Sequence, residues 1–548
     1  MQSSHVQVVV VGAGPVGLAL ACDLGWRGVR TLIVDQGTGG IPQPKTSGVN
    51  IRTMELCRRW GLRERIRSRG LAPGFARDRI WLTSLVGHEI ARQKVPSLAD
   101  ASAPRGAIET FMRIHQTEFD PILKEFALGC PSVTARYRTQ CVAVVQDGSG
   151  ATATLTDLET GRTYTETADY VVSCEGAASS VRKKLGIELH GNWKVNSSTN
   201  AYFRSAEFLR IHDKGEGLIY SFIGPEGYWG YIFAINGTDL WQAQIRGLGD
   251  RVPTSSRDEI AALIRRMAGR DFAFELLDVM PWTRRQLLAD RFRVGRIFLA
   301  GDAVHQMPPT ATLGMNTGVA EAADLAWKLA AVLEGWGGDA LLDSYEAERR
   351  PVADRNAASS LRLFQQSKLD TPPGPLVLAD TDEGARLRAE LGARYLREAA
   401  HPATEGFQIG YRYRDSPICW SDDREPPPES NVYHPSTYPG CRAPDARLPD
   451  GTPLLDRFGR GFVLVRLGRA PPDAAAFAAA STGRGVPLTV LDVDDADIAA
   501  LYEKRLVLVR PDGHVAWRGD DPPSDAVAVI DVARGAADAG ARQHRARS

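Results

Sequence analysis

Six residues near the start of the chain, Gly12-Ala13-Gly14-Pro15-Val16-Gly17, restrict its fold more than any other feature. They stand between an apolar run at 6–11 that reads as a buried strand and a helical pattern at 15–26. A second buried run at 29–35 then ends on Asp35. The pattern predicts a βαβ unit with a G-x-G-x-x-G turn. In such a turn the first glycine permits the bend, the second lets a pyrophosphate approach the backbone, and the third lets helix and strand pack closely. The helix N-terminus then faces an anion, and an acid about 20 residues further on is placed to bond a ribose hydroxyl. Glycines also occur in plain strand-to-helix turns, and the loop alone does not choose between FAD and NAD(P).

Composition narrows the remaining classes. A chain of 548 residues holds two or three domains. Its 66 Lys+Arg balance 66 Asp+Glu, which leaves no basic field for nucleic acid. With 43% hydrophobic and 24% charged residues it is not a disordered chain. The seven cysteines are scattered, with no CxxC pair and no metal-ligand spacing, which predicts reduced thiols, a cytoplasmic setting and no metal. The apolar run 6–22 lacks a basic flank and is too short to span a bilayer, so neither a signal peptide nor a membrane anchor is expected.

Two later segments decide the cofactor. Residues 169–182 read as a buried strand leaving into a small-residue turn through Cys174-Glu175-Gly176 to Arg182. After another strand comes Gly301-Asp302-Ala303-Val304-His305-Gln306-Met307-Pro308-Pro309, and Gly314-Met315-Asn316-Thr317-Gly318 then opens a helix. The glycine loop and these two segments, in this order, resemble the single-component (class A) flavoprotein aromatic hydroxylases. The likeness is greatest to the phenol hydroxylase and 2,4-dichlorophenol 6-monooxygenase branch and to related polyketide hydroxylases. It covers about residues 5–400 and extends into the C-terminal part. Two departures stand out: Glu175 replaces an aspartate, and Thr310-Ala311-Thr312 stands where glycines are common.

The resemblance implies an α/β fold in which a Rossmann-like FAD-binding domain, a three-layer ββα structure, is interleaved with a β-sheet substrate domain. The FAD-binding domain would comprise 1–75, 113–188 and 286–400, and the substrate domain 76–112 and 189–285. A linker at 401–440, a thioredoxin-like domain at 441–535 and a disordered tail at 536–548 complete the expected order. In the C-terminal part, strands are read at 462–467, 488–493 and 505–517, the last folded at Pro511-Asp512-Gly513, with helices at 473–480 and 524–533. Without a CxxC that domain is expected to be structural or dimer-forming rather than redox-active.

Residue by residue, the resemblance implies that Gly12, Gly14, Gly17 and Asp35 hold the ADP half of a non-covalent FAD. Lys45 would lie along the pyrophosphate, while Gln116, Gly301 and Asp302 would serve the ribityl region. The backbone of Gly314, Met315 and Asn316 would face the flavin N1–C2 edge, where N–H groups and a helix dipole stabilise negative charge. Asp302 also reads as a simple turn residue. Glu175, Gly176 and Arg182 would belong to a segment serving both flavin and NAD(P)H, although Glu175 could cap the turn and Arg182 could belong to a solvated Arg182-Lys183-Lys184 face.

The implied activity is a monooxygenation. NADPH or NADH reduces the flavin, O₂ adds at C4a, and the hydroperoxide gives one oxygen atom to a phenolic or other electron-rich aromatic ring. His305, Pro308 and Pro309 are the candidates beside the reacting centre, with His305 equally readable as a histidine bonded to a carbonyl. A hairpin around Asn236-Gly237 puts Trp229, Tyr231 and Phe233 on one face by alternation, either as sheet core or, with Met307, as substrate wall. Where phenol hydroxylases carry an aspartate this chain has Ser47, which cannot act as a base. Baeyer–Villiger or epoxidising chemistry, and a silent flavin-binding protein, remain as alternatives. A flavin halogenase does not, because 227–233 lacks its G-W-x-W-x-I-P pattern.

Overall fold

Val8, Val9 and Val10 are wholly buried in the middle of a parallel sheet. Its strands lie in the order Val133–Arg136, Thr31–Val34, His5–Val11, Thr163–Ser173 and Ile297–Leu299, with Arg293–Val294 added antiparallel at the edge. The computed structural model describes residues 5–41, 43, 45–247, 254–366, 372–398, 403–420, 422 and 424–537. Pro15 sets φ for the first turn of the helix Pro15–Arg27, and Gly28 closes it in a left-handed conformation at φ +82°. That helix packs with Gln116–Gly129 and Leu313–Leu333 on one face of the sheet. A hairpin of Thr139–Gln146 and Ala151–Asp157 covers the other face through Cys141, Ala153 and Leu155. Helices, parallel sheet and antiparallel layer make three tiers of a mixed α/β fold. Among the described residues no helix is long and apolar enough to cross a membrane, and no acidic, His or Cys cluster suits a metal ion.

A second sheet of eight strands stands beside the first. Its long members Leu189–Arg204 and Glu275–Ala289 pair antiparallel, followed by Leu240–Arg246, Gly227–Ala234 and Ile219–Gly224. The strands Arg79–Leu82 and Glu89–Gln93 join it from the earlier part of the chain. The Asn236 side chain closes the hairpin by accepting the N–H groups of Thr238, Asp239 and Leu240. On one side of this sheet lies the helix Arg257–Ala268, which buries Ile260, Ile264 and Met267 against Ile232 and Ile245.

Here the simple alternation breaks. Gly230 pairs with Phe222 and Tyr228 pairs with Ile223, so Trp229 is the extra residue of a β-bulge. Its ring turns to the helix side, against Phe222 (5.9 Å) and the Arg266 guanidinium (4.8 Å). Trp229 therefore does not share the face of Tyr231 and Phe233.

The C-terminal sheet has the order Leu488–Val493, Phe462–Leu467, Leu506–Val509, Val515–Gly519, the first pair parallel and the others antiparallel. Phe477 from Ala475–Gly483 and Val529 from Ala526–Ala533 pack on one side of it, together with Trp327 and Trp336 of the first domain. On the other side sits Ala496–Tyr502, a short helix capped by Asp495 that the sequence pattern did not indicate. The Pro- and Gly-rich stretch before this sheet is packed, with Tyr411, Tyr413 and Ile418 buried. Of the expected tail, 538–548 lie outside the described residues.

Candidate flavin cleft and substrate face

At the end of the first strand Gly12 has φ +106°, and a Cβ there would come within 2.5 Å of the Cys174 carbonyl. A Cβ on Gly17 would stand 1.9 Å from the Gly12 carbonyl, so helix and loop are in backbone contact. Gly14 is different: a Cβ there would meet nothing within 4 Å. The loop is closed behind and open in front, as the approach of a pyrophosphate requires. The Asp35 carboxylate accepts the N–H groups of Ala13 and Gly37, both at 2.7 Å, and so ties the second strand to the loop.

Three further pieces border this opening. Lys45 sits beside Gln116, whose Oε1 accepts the Lys45 N–H at 3.4 Å and whose Nε2 donates to Asp120 at 3.0 Å. Burial pushes the Asp120 carboxyl up to about 7. Gly301 makes the tight turn that follows Ile297–Leu299, and Asp302 beside it keeps an exposed carboxylate. The protein packed around Asp302 raises its carboxyl, against the pull of His305 and Lys45. The third piece is the start of Leu313–Leu333, which brings the N–H groups of Gly314, Met315 and Asn316 together. A Cβ on Gly314 would meet only Met307, at 3.6 Å. The Asn316 side chain is turned inward, where it donates to Thr312 O and Gly48 O and accepts from Asn50 N–H. These residues fit a flavin dinucleotide: an open glycine loop at one end, a helix N-terminus at the other, and a free carboxylate between them.

The second sheet presents its other face to these loops. Gln43 donates to Asp278 at 2.9 Å, and the His115 ring stands edge-on to Phe233 at 6.4 Å. Tyr231, Gln244 and Asn200 are cross-strand neighbours on this face. Arg284 lies among them, and its guanidinium covers the rings of Trp282 (4.3 Å) and Phe364 (5.2 Å). Near Phe233 a second arginine, Arg113, donates to Ser47 Oγ at 3.3 Å.

Residues 5–360 match the family model described as FAD binding domain, and 436–537 match that of the aromatic-ring hydroxylase C-terminal region. The chain is 32% identical to 4-methyl-5-nitrocatechol 5-monooxygenase of Burkholderia sp, with 96% of each protein covered. It is 31% identical to aklavinone 12-hydroxylase RdmE of Streptomyces purpurascens, over 97% of this chain and 98% of that protein. Among solved structures, the rebeccamycin biosynthetic enzyme RebC with reduced flavin superposes with a TM-score of 0.88 at 36% identity, covering 97% of this chain and 99% of the other. The chain belongs to the class A flavoprotein monooxygenases. Its cofactor is FAD, and as a monooxygenase it is an oxidoreductase.

Within this monooxygenase several candidates have a different setting from the one their sequence position suggests. His305 is wholly buried, and its Nε2 lies 3.0 Å from Glu321. Burial works to lower its pKa, but the Glu321 carboxylate outweighs this and raises it. Glu321 also accepts the Gly301 N–H at 2.9 Å. Through Glu321 the Nε2 side of this histidine braces the turn that carries Asp302, while its Nδ1 is buried without a partner. Glu175 accepts Ser173, Ser179 and Ser180 hydroxyls and the Val181 N–H, so it caps the turn into Ser180–Lys184. Arg182 is buried rather than part of a solvated face, and Gly176 supplies a left-handed turn at φ +76°. Pro308 is buried, and its carbonyl accepts the Ser360 hydroxyl, whereas Pro309 is exposed.

Arg113, Asn200, Gln244 and Arg284 escaped the sequence reading. The one available signal was the pair Arg284-Arg285 inside a strand, where alternation forces one of two adjacent cations inward.

Proposed function

We propose that this monooxygenase uses NAD(P)H and O₂ to hydroxylate a phenolic or other electron-rich aromatic ring. The observation that carries this reading is the opposition of the two halves: the cleft that fits FAD opens toward a sheet face bearing Tyr231 and Phe233. When bound, FAD supplies the redox and oxygen-transfer chemistry. The protein's part is to bind, orient and exclude water. In this reading Gly12, Gly14, Gly17 and Asp35 hold the ADP half, and Lys45, Gln116 and Asp302 the middle of the cofactor. The N–H groups of Gly314, Met315 and Asn316 stabilise negative charge at the ring. Tyr231, Phe233 and Met307 line the chamber with Pro308 and Pro309. Ser47 cannot take a proton from a phenol, and Arg113 beside it favours the ionised form of a hydroxyl placed there.

The parallel-then-antiparallel order of the C-terminal sheet, with its βαβ start, supports a thioredoxin-like domain; without a CxxC its part is structural. The relatives named for a nitrocatechol and for aklavinone support a phenolic or polycyclic substrate. The test is a screen of phenols, salicylates and polycyclic quinols for stimulated NADPH or NADH consumption, with products identified by mass. A ring-hydroxylated product one oxygen atom heavier is expected. Reduced nicotinamide consumption that no aromatic compound stimulates would overturn the reading, and a lactone product would replace it with Baeyer–Villiger chemistry.

A further inference from the structure

Arg284 is buried, with 5% of its surface exposed, and only neutral groups bond it. Its Nη1 donates to Asn196 Oδ1 and Ser198 Oγ, each at 2.7 Å, and its Nη2 donates to Gln244 Oε1. Gln244 is itself fixed by Asn200, whose Oδ1 also accepts the Trp282 indole N–H; both distances are 2.9 Å. Nε–H is buried without any acceptor. Among the described residues no ion pair reaches this guanidinium, and burial, aided by the like charge of Arg246, lowers its pKa to about 10. Buried cations are ordinarily paired, because an unpaired one gives up its hydration for little return.

The position of this cation is informative. Phe364 covers its face, and Ser360, one helical turn earlier, donates to Pro308 O and Thr310 O. Arg284 thus stands about one turn of the helix Ala340–Gln366 away from the loop that leads into the N–H groups of Gly314, Met315 and Asn316. Aromatic rings flank it on its own sheet face, with Tyr231 among the groups it interacts with most strongly. A flat ring bearing an acid group would find an aromatic wall and a prepared cation with an N–H to spare.

We propose that Arg284 binds a carboxylate carried by the aromatic substrate, so that the preferred substrates are aromatic acids. This rests on the aromatic-hydroxylase reading and specifies its substrate class. Guanidinium and carboxylate form the strongest class of hydrogen-bonded ion pair, and the amide network of Asn196, Gln244 and Asn200 keeps the fork in place before the ligand arrives.

The test titrates FAD-loaded protein with benzoate and with its neutral analogue benzamide, following the visible absorption of the flavin. Benzoate is expected to bind at least tenfold more tightly than benzamide. Chloride should compete with benzoate but not with benzamide, a result that needs no variant. Arg284→Met should weaken benzoate tenfold or more and leave benzamide within about twofold, while Arg285→Gln, on the opposite face of the same strand, should change neither. Arg284→Lys provides the check if the methionine variant fails to hold FAD, and should retain part of the preference. Binding of benzamide with no preference for benzoate overturns the inference and leaves the hydroxylase reading standing. Failure of both rings to perturb the flavin, together with failure of the substrate screen, overturns both.

Discussion

Two buried arginines in this protein have opposite surroundings. Arg510 lies where the C-terminal sheet meets the helices of the first domain, bonded to Glu348, Asp512 and Asp324. Lys328 bridges Asp324 (2.8 Å) and Glu348 (2.6 Å). Every one of these side chains is 2% exposed or less. Arg284, also buried, has amides, a hydroxyl and aromatic rings around it. At the seam the protein supplies the counter-charges itself, so the network is complete without a ligand. At the proposed substrate face no counter-charge is present among the described residues. Burial sets the cost of a charge, and the completeness of its partners tells whether the site is structural or reserved for something that binds.

The largest effect expected from this contrast is on stability. Arg510→Met leaves three buried carboxylates facing one lysine and should destabilise the protein by about 3–5 kcal/mol, measured by denaturant unfolding. Arg284→Met removes a buried cation with no carboxylate partner and should cost far less, or even stabilise. Equal losses in the two variants would erase the distinction.

A second measurement uses pH at the seam. The Nδ1–H of His514 donates to the Asp512 carboxylate at 3.1 Å, and burial pushes its pKa down to about 4 despite that carboxylate. Between about pH 6.5 and 4 the unfolded chain takes up a proton that the folded protein refuses, so stability falls as pH drops through this window. The loss amounts to about 3 kcal/mol for a single group. His514→Gln removes the group, so the difference in stability between wild type and variant should change across that window and stay constant above it. A difference that is flat from pH 4 to 7 would show that the seam tolerates the added charge.

What the sequence disclosed divides along the same line. The largely apolar runs Phe462–Leu467 and Leu488–Val493 announce strands whatever surrounds them, and the glycine loop carries its own geometry. Trp229 was not legible, because a bulge inserts one residue and reverses the face on which a period-two count places it. Arg284 was not legible either: which of Arg284 and Arg285 points inward is fixed by pairing with Asn196, far away along the chain. His305 lies in a segment whose likeness suggests a site, yet the carboxylate that holds it comes from the next helix. Local pattern gives elements and the cofactor loop; the partners of a charge depend on register and tertiary packing, which single-sequence periodicity does not encode.

The cofactor side offers a third contrast. Asp302, like Arg284, is a charge with no ion-pair partner among the described residues, and the protein packed around it raises its carboxyl against the pull of His305 and Lys45. Asp302→Ala should therefore leave the apoprotein as stable as before, or slightly more so, while weakening FAD by about 2 kcal/mol, the worth of a hydrogen bond to a charged group. That corresponds to roughly thirtyfold in dissociation constant by fluorescence titration. Unchanged FAD affinity would remove Asp302 from the binding set. A large loss of apoprotein stability would move it to the structural class with Arg510.

The smallest expected effect concerns backbone rather than charge. Ala311 and Thr312 have φ of +60° and +54°, consecutive left-handed residues that lead into Leu313–Leu333. For residues other than glycine this conformation costs about 1–2 kcal/mol each, and related hydroxylases commonly carry glycine here. The loop is held in this shape by Ser360 on Pro308 O and Thr310 O and by Asn316 Nδ2 on Thr312 O. Ala311→Gly relieves the steric conflict but also gives the unfolded chain more freedom, which offsets about 0.4–1 kcal/mol of the gain. The net result should be stabilisation of about 1 kcal/mol or less, read as a small upward shift in Tm of the FAD-loaded protein. A clear fall in Tm would mean that the left-handed turn carries no strain in solution, and that the helix N-terminus proposed to face the cofactor is set by the side-chain hydrogen bonds alone.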